Sequence, residues 1–206
     1  QPRRAQEQHA LPLRADADAH ALADMEETKA EAPHPSEPVS FIEEKRILAT
    51  AAIVLVADQI TKQIVIRTID SSEIEVIIPG MLKFVNWHNS GAAWSMFQDS
   101  SMPLAALSVV ALIALIKYRH HFETHTPTGK IAVGLLIGGI VGNLIDRISY
   151  NYVIDFIYVY VTRSNGKELA WPAFNIADMG ICIGVGLLFV LAWREGVSEG
   201  ETEKDS

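Results

Sequence analysis

Apolar residues in this chain fall into four long runs, separated by stretches in which polar and β-branched residues take over. The first run, residues 46–66, is 21 residues long, close to the roughly 20 needed to cross about 30 Å of hydrocarbon. The others are residues 103–118, 130–148 and 175–193. The second is short unless residues 96–102 extend it. Four spans place both ends of the apolar region on one side of a bilayer. The first intervening stretch, residues 74–87, is rich in Ile and Val and is broken by Pro79-Gly80, which predicts a strand pair. Residues 152–162 are strongly β-prone and run into Ser164-Asn165-Gly166-Lys167, a hairpin-turn signal. Residues 168–174 then supply the returning strand. The pattern predicts an α-helical integral membrane protein, with four transmembrane helices and a small extracytoplasmic β-sheet near their ends.

Composition refines the picture. The chain is 49% hydrophobic with a mean hydropathy of only +0.17, because polar ends dilute an apolar middle. Residues 1–40 are rich in Ala, Glu, Asp, His and Pro. Too little apolar surface is available there to offset the entropy of ordering, so they read as a disordered extension. They contain no apolar stretch of signal-peptide type, and the first residue, Gln1, suggests a trimmed start. Residues 41–195 read as the membrane domain and 196–206 as a disordered acidic tail. The net charge of −8 resides largely in the ends and does not favour nucleic acid or anionic lipid. Basic residues number six on the side of the termini and five in the opposite loops, a slight bias toward cytoplasmic termini. The single cysteine, Cys182, excludes an intramolecular disulfide and a cysteine metal cluster.

Charged side chains inside apolar spans cost about 2.5–3.5 kcal/mol each on insertion scales, so those present need a reason. Asp58 and Lys62 are four residues apart in the first span and share a helical face. They could form an internal ion pair that eases insertion, or Asp58 could face a polar cavity. Asn143, Asp146 and Arg147 end the third span, where Arg147 could complement the helix dipole and pair with Asp146. Gly138, Gly139 and Gly142 just before them would let another helix approach closely. Asn175 and Asp178 open the fourth span in the pattern of an N-cap and a first-turn acid, which does not exclude a chemical role. Asp155 interrupts an apolar strand, where Thr or Val would serve a structural purpose better.

Other catalytic arrangements lack their residues. There is no GxSxG elbow and no HExxH. Cys182 has no histidine in any span to activate it and reads as a small packing residue. His120, His121 and His125 read as a solvated cluster rather than a metal site. Paired aspartates remain. Two carboxylates in contact cannot both ionise, so they share a proton; one serves as base on a water and the other as acid toward a carbonyl.

The chain resembles lipoprotein signal peptidase, the type II signal peptidase of bacteria. The resemblance rests on five blocks in order: Asp58-Gln59-Ile60-Thr61-Lys62, Asn89-Ser90-Gly91-Ala92-Ala93-Trp94, the stretch from Gly138 to Arg147, Val153-Ile154-Asp155-Phe156, and Phe174-Asn175-Ile176-Ala177-Asp178. It implies an aspartic endopeptidase with a periplasmic β-cradle and a catalytic dyad of Asp155 and Asp178. Asp58, Lys62, Asn89, Gly91, Asn143, Arg147 and Asn175 would line the site and hold substrate, and Asp146 and Ala177 would support it. The implied substrate is a diacylglyceryl-modified pro-lipoprotein, cut just before the lipidated cysteine, with neither metal nor organic cofactor. Inhibition by globomycin-like cyclic peptides, membrane lipid as surroundings, a monomeric state and a place in the bacterial inner membrane, with the site near the periplasmic leaflet, follow from the same resemblance. The chain departs from it in its long polar extension and in carrying Trp94 where Phe is common.

Position then orders the dyad. Asp178 at a helix N-terminus is expected to be the base, and Asp155 in an apolar strand to carry the proton. Two other classes compete for the same residues. A transporter would use intramembrane charges as an ion path, although no inverted repeat is evident. A scaffold would use them to hold helices together.

Overall fold

The computed structural model describes residues 41–91, 100–119, 122 and 126–202 of the 206-residue chain. The extension at 1–40, Trp94 and the histidines at 120, 121 and 125 lie outside the described residues. Among the described residues four helices, α1 (Phe41–Thr68), α2 (Ser101–Tyr118), α3 (Pro127–Tyr150) and α4 (Ile176–Thr202), carry four stretches long and apolar enough to span a membrane. Four strands, β1 (Ile74–Ile78), β2 (Leu82–Asn89), β3 (Val153–Thr162) and β4 (Glu168–Ala170), form one antiparallel sheet in the order β1-β2-β3-β4. The architecture is the one the sequence predicts.

Helix α3 is the central element and packs against α1, α2 and α4. Half of its span is buried, against 17–22% of each other span. Its ends are well specified. Thr126 caps the first turn by accepting from the Gly129 N–H at 2.9 Å, Pro127 occupies the first turn, and Asn151 ends the helix in the left-handed region at φ 64°, an arrangement suited to each residue type.

The packing is inverted relative to a water-soluble bundle. The buried stripe on α1 is Ile47, Ala51, Val54, Asp58, Lys62 and Val65, and Ile69 just past the helix end continues it, spaced three and four apart. That stripe contains the helix's buried charges. Large apolar side chains point outward instead, including Ile53 at 69% exposure on α1 and Phe189 at 67% on α4. Such a surface is stable where the solvent is itself hydrocarbon.

The sheet sits at the end of the bundle where α1 and α3 finish and α4 begins. Phe156 of β3 packs with Val65 of α1 and with Ile69 just after it, and meets Phe84 of β2 edge-on, with ring centroids 6.1 Å apart. Gly80 and Gly166 take positive φ, 80° and 76°, in the two hairpin turns, a conformation open to Gly at no steric cost.

Some expectations are corrected. The strand after Gly166 is only Glu168–Ala170 rather than 168–174, because Pro172 offers no N–H for further pairing. Helix α4 is described as far as Thr202; a helix already formed in a span extends easily. Cys182 is exposed on the outside of the bundle instead of packing between helices.

Candidate active site

Phe174 joins the strand that carries Asp155 to the helix that carries Asp178. Its carbonyl accepts from the N–H groups of Phe156 and Ile157 at 3.1 and 2.8 Å, and its own N–H donates to the Ile157 carbonyl at 3.0 Å. Asn175 follows immediately and caps α4. Its Oδ1 accepts from the Asp178 N–H at 2.9 Å, and its N–H donates to Asp178 Oδ2 at 3.2 Å. This reciprocal pair is a capping box, so the helix start fixes Asp178 against Asn175. A β-bulge lies in β2 between Phe84 and Trp87, opposite the same part of β3; bulges of this kind commonly re-aim side chains beside active sites.

The two aspartates meet through a set of amides. Asn175 Nδ2 donates to Asp155 Oδ1 at 2.8 Å. Asn89 Nδ2 donates to Asp155 Oδ2 at 2.9 Å, across the sheet from β2. Asn143 of α3 donates through Nδ2 to Asp178 Oδ1 at 2.7 Å. Asp155 is buried, and burial is the main reason its carboxyl is raised to about 7, with the charge of Asp178 adding to it; the amides of Asn89 and Asn175 and the charge of Lys62 work in the opposite direction. A group poised near neutrality beside a second carboxyl can carry a proton at the start of a reaction and receive it back at the end.

Behind this layer lies a buried charge cluster. Lys62 reaches Asp58 and Asp146 at 2.8 Å each, and its ammonium donates to Asn143 Oδ1 at 3.0 Å. Asp58 also accepts from the Ala177 N–H at 2.9 Å, which satisfies an N–H in the first turn of α4. Asp146 accepts from the Ile154 N–H at 3.1 Å and from Gln59 at 3.1 Å. Burial of the three charges is nearly complete. Such a cluster persists only because every member is paired and hydrogen-bonded.

The structure therefore sorts the residues singled out in the sequence. Asp155, Asp178, Asn89, Asn143 and Asn175 form one hydrogen-bonded group. Asp58 and Lys62, expected to line the site, stand behind it without solvent access, and support it. Asp146 pairs with Lys62 and not with Arg147. Arg147 instead donates from Nη2 to the Gly91 carbonyl at 3.5 Å, and its Nε is buried without a hydrogen-bond partner among the described residues. Ala177 contributes its backbone, as a support would. Gln59 is the residue the sequence reading passes over, although an amide next to Asp58 in an apolar span is itself a signal. Among the described residues no three His, Cys, Asp or Glu side chains are grouped so as to hold a metal ion.

Comparison with known proteins gives the family. Residues 50–194 match the family model described as signal peptidase (SPase) II. The chain belongs to the signal peptidase II family. Among its relatives are lipoprotein signal peptidases from Syntrophotalea carbinolica, 32% identical over 73% of this chain and 92% of that protein, and from Symbiobacterium thermophilum, 37% identical over 73% and 98%. It is also similar to a bacterial membrane enzyme solved by the in meso method at 2.3 Å resolution, with a TM-score of 0.65 and 30% identity over 73% of this chain and 88% of that one. The peptidase is thus a multi-pass bacterial membrane protein and an aspartic endopeptidase that removes signal peptides from prolipoproteins.

Proposed function

We propose that Asp155 and Asp178 are the catalytic dyad, and that the bond cut is the amide just before the diacylglyceryl-modified cysteine of the prolipoprotein. The observation that supports this most directly is Asn175, which donates from its side chain to Asp155 and from its backbone to Asp178. One residue thereby ties both carboxyls into a single unit that titrates together.

The chemistry balances on these two groups and one water. Asp178, as carboxylate, takes a proton from the water while the water oxygen bonds to the scissile carbonyl carbon. Asp155, as carboxylic acid, gives its proton to the carbonyl oxygen. The result is a gem-diol, with Asp178 protonated and Asp155 ionised. Collapse breaks the carbon–nitrogen bond: Asp178 returns its proton to the leaving nitrogen, and Asp155 recovers one from a gem-diol hydroxyl. The products are a free carboxyl end and a free amine, and the dyad is restored.

Arg147 and Gly91 are the groups best suited to hold the substrate backbone, since among the described residues the buried Nε of Arg147 has no hydrogen-bond partner. Asn89 holds Asp155 from the sheet side. The diacylglyceryl group stays in lipid beside the bundle and raises the local concentration of the peptide. In this reading the termini are cytoplasmic, the sheet and dyad lie at the periplasmic leaflet, the enzyme works as a monomer, and globomycin-like cyclic peptides compete for the site.

A gel-shift cleavage assay on lipidated and non-lipidated precursor tests both parts. Asp155→Asn and Asp178→Asn should each lower turnover at least about a thousandfold on the lipidated precursor while the protein still folds, and the wild type should cut the non-lipidated precursor poorly. Full activity in either variant would remove the dyad. Equal cleavage of the two precursors would remove the role of the lipid.

A further inference from the structure

Lys62 is the one cation of the buried cluster, and its surroundings are unusually complete. An ammonium has three N–H donors. Here there are three acceptors, at 2.8, 2.8 and 3.0 Å: Asp58, Asp146 and the Oδ1 of Asn143. The two carboxylates suffice to neutralise the lysine. The third contact does something else, because Asn143 is also the residue that donates to Asp178.

An asparagine amide has an acceptor end and a donor end, and here each end is fixed by its partner. Oδ1 of Asn143 faces the Lys62 ammonium and the Asn175 Nδ2, which donates to it at 3.2 Å. Nδ2 faces Asp178 Oδ1. Reversing the amide would place an NH2 against an ammonium and an oxygen against a carboxyl oxygen, two repulsions, the first of them at a buried contact. Lys62 thus determines which end Asp178 sees, and its charge polarises the amide in the direction that strengthens the donor. Neither amide that donates to Asp155 is hydrogen-bonded by Lys62. Of the two donors, Asn89 is oriented by the neutral Gly91 N–H at 3.1 Å, and Asn175 by the backbone of α4.

We infer that Lys62 is a positioning residue of the reaction: through the amide of Asn143 it keeps the negative charge of the dyad on Asp178, and so determines which aspartate activates the water. The inference rests on the dyad reading above and deepens it. The lysine touches neither aspartate of the dyad: its charge reaches both through space, and its hydrogen-bonded route runs to Asp178 through Asn143. Asp58, Arg147 and Asp155 are the other charged groups that act on Asp178, and all three stay in place in the variants below.

Two variants test it. Lys62→Met combined with Asp146→Asn removes one positive and one negative charge, so the cluster keeps its net charge while Asn143 loses its anchor. Asn143→Leu removes the amide and leaves both ion pairs of Lys62 intact. The measurement is the pH profile of kcat/KM on lipidated precursor, together with kcat and KM at pH 7. The expected result is that the acidic limb moves up by about one pH unit, kcat falls about tenfold and KM stays within twofold. A purely structural loss would scale activity equally at every pH and leave the limb in place. If either variant folds and its acidic limb is unmoved, the inference is overturned. Complete loss of turnover in a folded variant overturns it as well, because an intact dyad with a disordered amide should retain residual cleavage. Failure of the dyad itself looks different: Asp178→Asn would then cleave like the wild type.

Discussion

Asp155 has one neighbour on either side along β3, Ile154 and Phe156, and all three are buried. The strand's alternation points Asp155 toward the amides and its neighbours toward the opposite face. Holding a carboxyl there has a cost that depends on pH. Its folded value is about 7 against an ordinary 3.8. Between those two values the folded chain binds a proton that the unfolded chain has released. Folding stability therefore decreases as pH rises from about 4 toward 7, and the full penalty is present above 7. Below pH 4 both states are protonated and the penalty vanishes. Asp155→Asn, which cannot ionise, should be more stable than the wild type at pH 8 by on the order of 1–3 kcal/mol, and close to it at pH 4.5. Thermal unfolding in detergent at the two pH values measures this. A stability difference that is the same at both would mean that Asp155 does not titrate between them.

At the scale of elements, close approach of α3 to its neighbours is what places the amides. A Cβ on Gly142 would come within 2.7 Å of Asp58 Oδ2, and one on Gly139 would collide with the Ala177 carbonyl and lie 2.7 Å from Ile181. Gly139→Ala and Gly142→Ala should each lower stability by about 1–3 kcal/mol and reduce turnover, Gly142→Ala by dislodging Asp58 from the Ala177 N–H. Gly186→Ala, where nothing lies within 4 Å, should leave both unchanged. Melting temperature and cleavage rate for the three variants decide the matter; equal effects at Gly142 and Gly186 would refute the close-approach account. The same glycines show what was legible in the sequence. Their role in helix approach was readable, as were the spans, the hairpins and the capping pair of Asn175 and Asp178, because each depends on local pattern. The partner of Asp146 was not. In a helix surrounded by lipid both faces are apolar, so periodicity does not reveal which one turns inward. Lys62 and Asp146 belong to different helices, and only their packing shows that they meet. Arg147 stands next to Asp146 in the chain but projects from a different face of α3. The short β4 was legible in principle from Pro172, and the bridge at Phe174 was not, because it depends on where α4 begins.

For the whole molecule, the decisive property is the inversion of polarity. The bundle buries Asp58, Lys62, Asn143, Asp146 and Asn175 and turns Leu48, Ile53, Val56, Ile60 and Ile64 outward. In water this arrangement would expose a continuous apolar surface while confining charges inside, and both choices would oppose folding. In a bilayer the outward surface meets hydrocarbon, and the buried groups can find partners only among themselves. The proposed dyad is then held by the same polar groups that hold the helices together, so the proposed site and the structural core are one network. This gives a prediction that a water-soluble reading of the same structure would not make. Val56 is 54% exposed on α1, and at such a position in a soluble protein a change to Asp is close to neutral. Facing lipid near the middle of a span it should cost about 2.5–3.5 kcal/mol on insertion scales. Val56→Asp should therefore lower the fraction of α1 inserted by more than tenfold in an insertion assay and deplete the protein from the membrane fraction after alkaline extraction. Val56→Leu should behave as wild type in both. Unchanged insertion of Val56→Asp would mean that this face of α1 meets water or another polypeptide rather than lipid.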